Sequence, residues 1–494
     1  MIDFTNIEKY KENNRIEAKK AVGGLPRSIW ETYSAFANTL GGVILLGVEE
    51  HPDKSLHPVE LPDPERLVRE FWNVVNNISK VSVNILSDKD VTIEKVGGKR
   101  IVAINVPRAQ RSDKPVYIDG NPLSGTYRRN GEGDYRCTRE EVQAMLRDAA
   151  IKSQDMIVLD DMGLDVFDYD SVRRYRIRMK TCRPGHVWEE LEDNEFLYKL
   201  GAVGRSGNEL RPTAAGLLMF GYEYEIVKEF PAYFLDYQER LDPSTRWTDR
   251  IVSTSGDWSG NVYDFYFRVY NKIAQDIKIP FRMEGGDRID DTPVHKALRE
   301  ALANCLINAD YYGRQGLVII RKPDEITFSN PGGFRIDVET AKSGGVSDPR
   351  NSTLIKMFNL IDVGERSGSG IPNIFSVWNK QGWSAPMITE SFEPDRITLS
   401  LHIGESSDNK VAIKSSDKKV ATKSGGKTSK TKSSIQKQAI TEYITDHTSA
   451  KTSEIAALLG VKDARARRLI LEMIDEGIVV PEGENRNRTY KLKA

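Results

Sequence analysis

Residues 294–312 read VHKALREALANCLINADYY, and this stretch decides the fold prediction for the region around it. Three polar residues recur every four positions and therefore form a stripe along one side of a predicted helix: Glu300, Asn304 and Asn308. Apolar residues recur with helical spacing on another side: Leu298, Ala301, Leu302, Cys305 and Leu306. The segment thus predicts a helix with one face in the protein core and a polar stripe beside it.

The polar stripe has two interpretations. A carboxylate and an amide one helical turn apart can orient a water molecule and a hydrated divalent cation together. Magnesium prefers oxygen ligands and keeps several waters, so one asparagine carbonyl is sufficient protein contact. Alternatively, Glu300 and Asn304 are the solvated face of an ordinary amphipathic helix.

Two glycine motifs follow the predicted helix. Strands are predicted at 316–321 (GLVIIR) and 325–330 (EITFSN), and the second runs into Asn330-Pro331-Gly332-Gly333, where glycines let the backbone approach a planar ligand. Residues 364–370 (GERSGSG) precede another predicted helix, whose first N–H groups and positive dipole end suit phosphates. Each glycine motif alone is common, but the three motifs in this order predict a nucleotide pocket.

This order resembles the GHKL ATPase superfamily, and more closely its version in RecG-related proteins described as ATP-dependent DNA helicases or transcriptional regulators. The resemblance covers about residues 290–380. It implies that Glu300 is the general base for ATP hydrolysis, that Asn304 is a ligand of the Mg²⁺ bound with ATP, and that 334–366 is a lid. It further implies cofactor binding by Asn308, Asp310, Asn330, Gly332, Gly333, Arg350, Asn351, Gly368 and Gly370.

Asn330 departs from the superfamily pattern, which has an adenine-reading aspartate there. An asparagine can still pair with the exocyclic amine through its carbonyl oxygen, without charge assistance. A P-loop is excluded, because Gly426-Lys427-Thr428 follows no predicted strand and position 421 is Ala421. The absence of a recognisable phosphoacceptor-histidine helix argues against a histidine kinase.

Residues 12–48 resemble the Schlafen AlbA-like domain, through the runs 17–19 (EAK), 34–42 (SAFANTLGG) and 47–50 (GVEE), followed later by 127–131 (YRRNG) and 138–142 (TREEV). The resemblance implies nucleic-acid binding, and eukaryotic Schlafens include metal-dependent endoribonucleases. Four acids are therefore candidate nuclease residues that could hold Mn²⁺: Glu12, Glu17, Glu49 and Glu50. The first run departs from the family pattern, because Ala18 stands where an aromatic residue is usual.

The basic residues of the same region are candidate nucleic-acid contacts: Lys19, Arg128 and Arg129. Together with Tyr127, Tyr135 and Arg136 they can form a phosphate-binding and base-stacking surface. A solvated hairpin is the alternative for the two arginines. A scaffold or protein-binding role is the alternative for the whole region.

The C-terminal segment from Ile435 resembles winged-helix transcription regulators. Two predicted helices, a third helix that begins near Asp463 and a β-ribbon form a helix-turn-helix with a wing. The resemblance implies that arginines at the start of the third helix and at the tip of the ribbon contact DNA: Arg465, Arg467, Arg468, Arg486 and Arg488. Winged helices also serve as protein-interaction modules, which remains the alternative.

The whole chain of 494 residues is too long for one core and is predicted to be multidomain, of α/β and α+β class. A net charge of −1 confines nucleic-acid binding to local patches. Three separated cysteines and a polar start predict a cytoplasmic protein without a membrane span. The predicted division is 1–150 Schlafen AlbA-like, 151–285 mixed connecting domain with a winged-helix element near 195–221, 286–406 GHKL-type ATP-binding, 407–433 Lys/Ser-rich linker and 434–494 winged helix-turn-helix.

These predictions combine into an ATP-binding regulator that binds nucleic acid, DNA rather than RNA, with slow hydrolysis and a homodimeric or higher state. The alternative is an ATP-gated, metal-dependent endonuclease of Schlafen type, acting in phage defence. A helicase motor is a third candidate, which the lack of a P-loop disfavours.

Overall fold

A computed structural model describes residues 3–275, 282–284, 287–289, 292–364 and 368–404, and parts of 437–492. These residues form a mixed α/β, multidomain protein with two compact units, Met1–Lys414 and Ser415–Ala494. The predicted linker at 407–433 lies outside the described residues. None of the described helices is long and apolar enough to cross a membrane.

The N-terminal region is built on a four-stranded sheet. Ile16–Lys19 pairs parallel with Gly42–Leu46, which is followed across the sheet by antiparallel Lys99–Val106 and Val91–Val96. The predicted strands at 41–48 and 99–107 are confirmed here. Two further strand pairings and the helices complete the region: strands Val48–Glu50 with Leu56–Pro58 and Tyr127–Asn130 with Gly133–Arg136, and helices Ile29–Asn38, Pro64–Val75, Pro122–Gly125 and Arg139–Ala149.

The helix Ile29–Asn38 packs its apolar residues onto this sheet, with Tyr33 and Phe36 fully buried. Asn38, also buried, donates from Nδ2 to Val116 O at 2.7 Å and accepts from Val116 N at 2.9 Å. These bonds satisfy a polar side chain that would otherwise destabilise the core. The predicted helix at 30–40 is thereby fixed to the loop that contains Val116.

The connecting region is mainly helical. At 195–221 the sequence predicts a helix, a polar turn and an apolar helix, and the structure has a hairpin in place of the turn. The second helix is entirely buried, which explains its continuous apolar sequence. The elements are helices Tyr169–Cys182, Asp193–Leu200, Ala214–Phe220, Glu223–Glu229 and Val262–Gln275, and strands Val203–Ser206, Glu209–Pro212, Leu235–Glu239, Asp249–Val252, Arg282–Glu284 and Asp287–Ile289.

A six-stranded sheet joins the connecting region to the predicted ATP region. Leu235–Glu239 pairs parallel with Leu317–Arg321, so the sheet extends across the predicted boundary between residues 285 and 286. Its order is Asp249–Val252, Leu235–Glu239, Leu317–Arg321, Glu325–Pro331, Asp395–His402 and Met387–Phe392. One hydrophobic core extends from Leu159 to Leu401. Residues of both regions therefore share a single core.

The structure describes four helices in the predicted ATP region: Pro293–Ile307, Val338–Ser343, Ser352–Leu360 and Gly370–Lys380. The first, third and fourth contribute to the shared core, and Val338–Ser343 contacts Gly370–Lys380. The first is called the stripe helix below. Short 3-10 helices occur elsewhere in the first unit, at Phe4–Lys9, Asp88–Asp90, Arg111–Asp113, Gln154–Met156, Leu164–Val166 and Ser253–Ser255.

In the second unit, the structure describes the helix Thr452–Leu459 and the antiparallel strands Val479–Glu482 and Thr489–Leu492. These match the predicted second helix and the β-ribbon. The ribbon tip with Arg486 and Arg488 lies outside the described residues. The complete winged helix-turn-helix therefore stays a prediction.

Candidate nucleotide-binding site

The stripe helix begins with strong local signals. Thr292 caps its N-terminus in a reciprocal arrangement with His295, with 2.8 Å between Oγ1 and Nδ1, and Pro293 occupies the first turn. The helix ends at Ile307, and Asn308 is its C-cap. The predicted helix is confirmed, although its last polar residue stands at the terminus instead of inside the helix.

The polar stripe does not form a solvated face. Glu300 is only 9% exposed, and its Oε1 accepts a hydrogen bond from Asn304 Nδ2 at 3.1 Å. This bond leaves the Asn304 carbonyl oxygen as the ligand-type atom of that side chain. Asn308 Nδ2 donates to Asn304 O at 3.0 Å. The stripe is therefore an ordered row of groups that faces a cavity.

The cavity brings together the stripe and both glycine motifs, through Glu300, Asn304, Asn308, Asn330, Gly333, Gly368 and Gly370. Apolar side chains from the sheet, from two helices and from the loop before Val338 form much of the remaining wall: Phe328, Ile336, Ile355, Ile374, Ile388, Ile397 and Leu399. A mostly apolar cavity with a few convergent polar groups is the usual form of a small-molecule site.

The first glycine motif requires its glycines. Gly332 has a φ of +97°, and a Cβ there would lie 2.8 Å from Arg350 Nη2. A Cβ on Gly333 would lie 2.9 Å from Glu390 Oε1. The backbone at the end of strand Glu325–Pro331 can therefore approach its neighbours only because neither residue has a side chain.

The second glycine motif contacts Glu300 of the polar stripe. Gly368 has a φ of +73°, and a Cβ there would lie 2.5 Å from Val346 O. Gly370 begins the helix Gly370–Lys380, and a Cβ on it would overlap Oε1 of Glu300. Residues 365–367 of the motif lie outside the described residues. The first turn of this helix is therefore in direct contact with the proposed base.

Asn330 is 5% exposed and lines the cavity. Its Nδ2 donates to two main-chain carbonyls, Asn308 O at 3.4 Å and Pro331 O at 3.3 Å. These bonds orient the amide so that Oδ1 is the acceptor available to a ligand. An acceptor at this position is what pairing with an exocyclic amine requires.

Four of the predicted cofactor-binding residues either lie outside the cavity lining or are paired within the protein. Asp310 forms an ion pair with Arg147 at 3.1 Å, and Asn351 Nδ2 donates to Ile307 O at 2.8 Å and Ala309 O at 2.9 Å. Neither is among the described lining residues, and neither is Gly332. Arg350 does line the cavity, but it is 7% exposed and pairs with Asp148. Its guanidinium is therefore already neutralised within the protein.

A second, polar cavity adjoins the first at Glu300 and Gly370. Its basic lining residues are Arg183, Lys296 and Arg299. Sequence reasoning missed them, although Lys296 lies one turn before Glu300 and so continues the four-residue spacing of the stripe. An apolar chamber and a second chamber, lined by these three cations and the carboxylate of Asp362, therefore adjoin at Glu300, which suits a planar base at one end of a ligand and anionic groups at the other.

Three of the four candidate nuclease acids pair with cations, among them Glu50 with Lys54 at 3.4 Å. Glu17 pairs with Lys19 at 2.9 Å and with Arg129 at 2.8 Å, and Glu49 pairs with Lys20 at 3.0 Å. Burial raises the pKa of Glu12, and the nearby Glu17 and Glu50 carboxylates add to that rise. Among the described residues, no group of three or more His, Cys, Asp or Glu side chains is placed to hold a metal ion.

Arg128 and Arg129 do not form the predicted nucleic-acid surface. Arg129 is 3% exposed and pairs with Glu17 and Asp134, while Arg128 makes two bonds of 2.7 Å to Asp395. Lys19 is likewise mostly buried beside Glu17. The physical reason is that each cation has an internal carboxylate, so phosphate contact would require breaking a buried ion pair. Tyr135 and Arg136 of the same hairpin are exposed.

Of the predicted C-terminal contacts, Arg467 is exposed on its unit. Arg465, Arg468, Arg486 and Arg488 lie outside the described residues.

Three parts of the chain match known family models. Residues 12–138 match the family model "Schlafen, AlbA_2", and residues 316–399 match "Putative ATP-dependent DNA helicase recG C-terminal". Residues 143–236 match a domain of unknown function, DUF8451. No curated protein matches the chain.

Similar solved structures include a crystal structure and a solution structure. A crystal structure of a protein from Corynebacterium diphtheriae is 17% identical, covers 97% of this chain and 95% of its own, and has a TM-score of 0.40. The solution structure of the N-terminal domain of a RecG-related protein from Nitrosomonas europaea is 34% identical, covers 28% of this chain and 95% of its own, and has a TM-score of 0.23. By its family matches, the chain is similar to Schlafen AlbA_2 proteins over residues 12–138 and to RecG C-terminal regions over residues 316–399. These similarities relate it to ATP-dependent, nucleic-acid-related proteins.

Proposed function

We propose that this protein is an ATP-binding, nucleic-acid-binding regulator in which a GHKL-type site changes how the protein engages its target. The observation that carries the proposal is the single cavity that unites the stripe with both glycine motifs. The family match over 316–399 supports the nucleotide, and the match over 12–138 supports the nucleic acid.

In this proposal the adenine lies in the apolar chamber, where the Asn330 carbonyl oxygen accepts from its exocyclic amine. The phosphates extend past Glu300 toward the first turn of helix Gly370–Lys380, whose N–H groups favour anions. Asn304 would hold Mg²⁺ through its carbonyl oxygen, and the cation would supply charge neutralisation for the phosphates. Glu300 accepts the proton of the attacking water, and Asn304 fixes its carboxylate for that task.

The variant Glu300→Gln separates binding from chemistry. A glutamine keeps the acceptor for Asn304 Nδ2 but is not a base. We expect ATP affinity to stay within a factor of a few and hydrolysis to fall by about 10²–10⁴-fold, the usual contribution of a general base. Unchanged phosphate release by Glu300→Gln would remove this residue from the proposed chemistry.

Nucleic-acid engagement is tested by fluorescence anisotropy of labelled duplex DNA, single-stranded DNA and RNA, each with and without ATP and Mg²⁺. We expect at least one substrate to bind, and its affinity to change by about fivefold or more with nucleotide, a typical coupling between sites. Arg467→Ala should weaken duplex binding, because Arg467 is exposed. Identical affinities with and without nucleotide would contradict the switch.

A Schlafen-type nuclease is the second candidate, favoured by one observation. Among the described residues, Glu50 Oε1 is buried without a hydrogen-bond partner, and the carboxylates of Glu50 and Glu17 both lie near Glu12. A buried, unpaired carboxylate oxygen is costly unless a cation satisfies it. Incubating labelled tRNA, single-stranded DNA and duplex with Mn²⁺, with and without ATP, tests this candidate. Cleavage by wild type that Glu12→Gln abolishes, and that the exposed-site control Glu132→Gln retains, would favour the nuclease.

A further inference from the structure

The N-terminal region contacts the segments around the nucleotide cavity through a series of ion pairs and hydrogen bonds. The contacted segments include residues 333–336, which are called the rim below. Arg128 binds Asp395 with two bonds of 2.7 Å, and Arg111 pairs with Asp348. These pairs join residues more than 200 positions apart in the chain. Because most of the side chains are only partly exposed, solvent screens the pairs less than it would on an open surface.

A third pair, between Arg108 and Glu390, is more buried than these two. The guanidinium of Arg108 binds the carboxylate of Glu390 with bonds of 2.5 Å and 2.9 Å. The side chains are 17% and 4% exposed, respectively. A bidentate pair of this kind fixes both orientation and distance.

The same pair holds the backbone of Phe334, which lines the cavity. Phe334 N donates to Glu390 Oε1 at 2.7 Å, and Arg108 Nη2 donates to Phe334 O at 2.9 Å. Both main-chain polar groups of Phe334 are therefore satisfied by one ion pair. Gly333 completes the contact, since its missing Cβ is what allows Glu390 to lie so close.

The rim is fastened on another side by Asp148 of the N-terminal region. Arg335 Nη2 donates to Asp148 O at 3.1 Å and Arg335 Nη1 to Pro349 O at 2.9 Å. Arg350 pairs with Asp148 and donates to Gly333 O at 3.0 Å. Residues 333–336 lie between a strand that ends at Pro331 and a helix that starts at Val338, so tertiary contacts must fix their conformation.

We propose that Arg108, together with Glu390, is a positioning residue for the nucleotide site, so that the N-terminal region shapes the cavity that binds ATP. The inference rests on the proposed function, because it assumes that ATP is the ligand. Thermodynamic linkage makes the effect reciprocal: a ligand that moves Arg108 changes ATP affinity, and ATP changes the affinity for that ligand by the same factor.

The test is calorimetric titration of the full chain with ATP and Mg²⁺, using wild type, Arg108→Gln, Glu390→Gln and the double variant. Arg100→Gln is the matched control, because Arg100 pairs with Glu65 on the exposed surface of the same region. We expect ATP affinity to fall by about tenfold in each single variant, as loss of a charged hydrogen bond implies, and to be unchanged in the control. The double variant should lose less than the two single losses combined, because the two residues act as one unit.

Two outcomes distinguish this inference from the proposed function. If wild type binds ATP and both single variants bind it equally well, the positioning role is overturned while the nucleotide site stands. If wild type binds no ATP, the proposed function fails and the inference fails with it. Thermal unfolding of each variant without nucleotide identifies any that does not fold. In that case the double variant, which leaves no unpaired buried charge, replaces the single variants, and unchanged affinity in it overturns the role.

Discussion

Gly370 and Glu300 are in direct contact: a Cβ on residue 370 would overlap Oε1 of the Glu300 carboxylate. The contact joins two motifs that are 70 positions apart in the sequence. Because of this contact, the glycine at the start of helix Gly370–Lys380 is needed for the position of the Glu300 carboxylate as well as for the loop. Position 370 needs a small residue because the carboxylate occupies the space where a side chain would lie.

The variant Gly370→Ala tests this relationship. The added methyl group must displace the Glu300 carboxylate, and a displacement of about 1 Å can reduce turnover by about 10²-fold. We expect slower phosphate release with little loss of stability, measured by a steady-state assay and by thermal unfolding. Gly23→Ala is the matched control, since a Cβ there meets nothing within 4 Å. Equal turnover by Gly370→Ala and wild type would contradict the contact.

Arg129 is predicted to stabilise the fold instead of binding nucleic acid. Its buried guanidinium binds Glu17, Asp134 and the main-chain oxygen of Asn13. Arg129→Ala removes the guanidinium that pairs with both carboxylates, and we expect the free energy of unfolding to fall by about 3–5 kcal/mol in a urea titration. Arg136→Ala on the exposed side of the same hairpin should change it by less than about 0.5 kcal/mol. Comparable stability of the two variants would contradict the buried placement.

Lys114 gives the protein a specific pH dependence. Burial, with a smaller contribution from the neighbouring Arg108 and Arg128, lowers the pKa of its ammonium from 10.5 to about 7, against the opposing effect of Glu390 and Asp395. Between pH 7 and 10.5 the unfolded chain therefore binds more protons at this lysine than the folded one, so stability rises with pH in that window.

The measurement is the unfolding free energy of wild type and Lys114→Met from pH 7 to pH 9. We expect it to increase more steeply in wild type, by up to about 1.4 kcal/mol per pH unit relative to the variant. Parallel curves would show that Lys114 keeps an ordinary pKa in the folded state.

Local periodicity predicted much of the secondary structure around the site. The stripe helix, predicted over 294–312, is observed as Pro293–Ile307, and the strand predicted at 325–330 is observed as Glu325–Pro331. These elements have strong signals because their apolar spacing, caps and glycines act within a few residues. The stripe also located the cavity, since residues one turn apart must face the same side.

Contacts between distant segments were not predictable from the same signals. The sequence around Arg128 predicts a surface cation on an exposed hairpin, but Arg128 pairs with Asp395, 267 positions away. Glu390 has no motif of its own, and its role comes from Arg108 and from the Phe334 backbone. Asp310 and Asn351 lie beside motif residues in the sequence, but Asp310 pairs with Arg147 and Asn351 donates to a main-chain oxygen of the protein. Such pairings depend on how the sheets and loops pack, which no local pattern encodes.

The most direct test of the nucleotide site is a calorimetric titration of ATP with Mg²⁺ into the full chain, compared with Asn304→Ala. The site predicts saturable binding at one site per chain in wild type, and an affinity about tenfold or more lower in the variant, which lacks the carbonyl ligand and the bond to Glu300. Absence of binding by wild type, or equal affinity in Asn304→Ala, would contradict it.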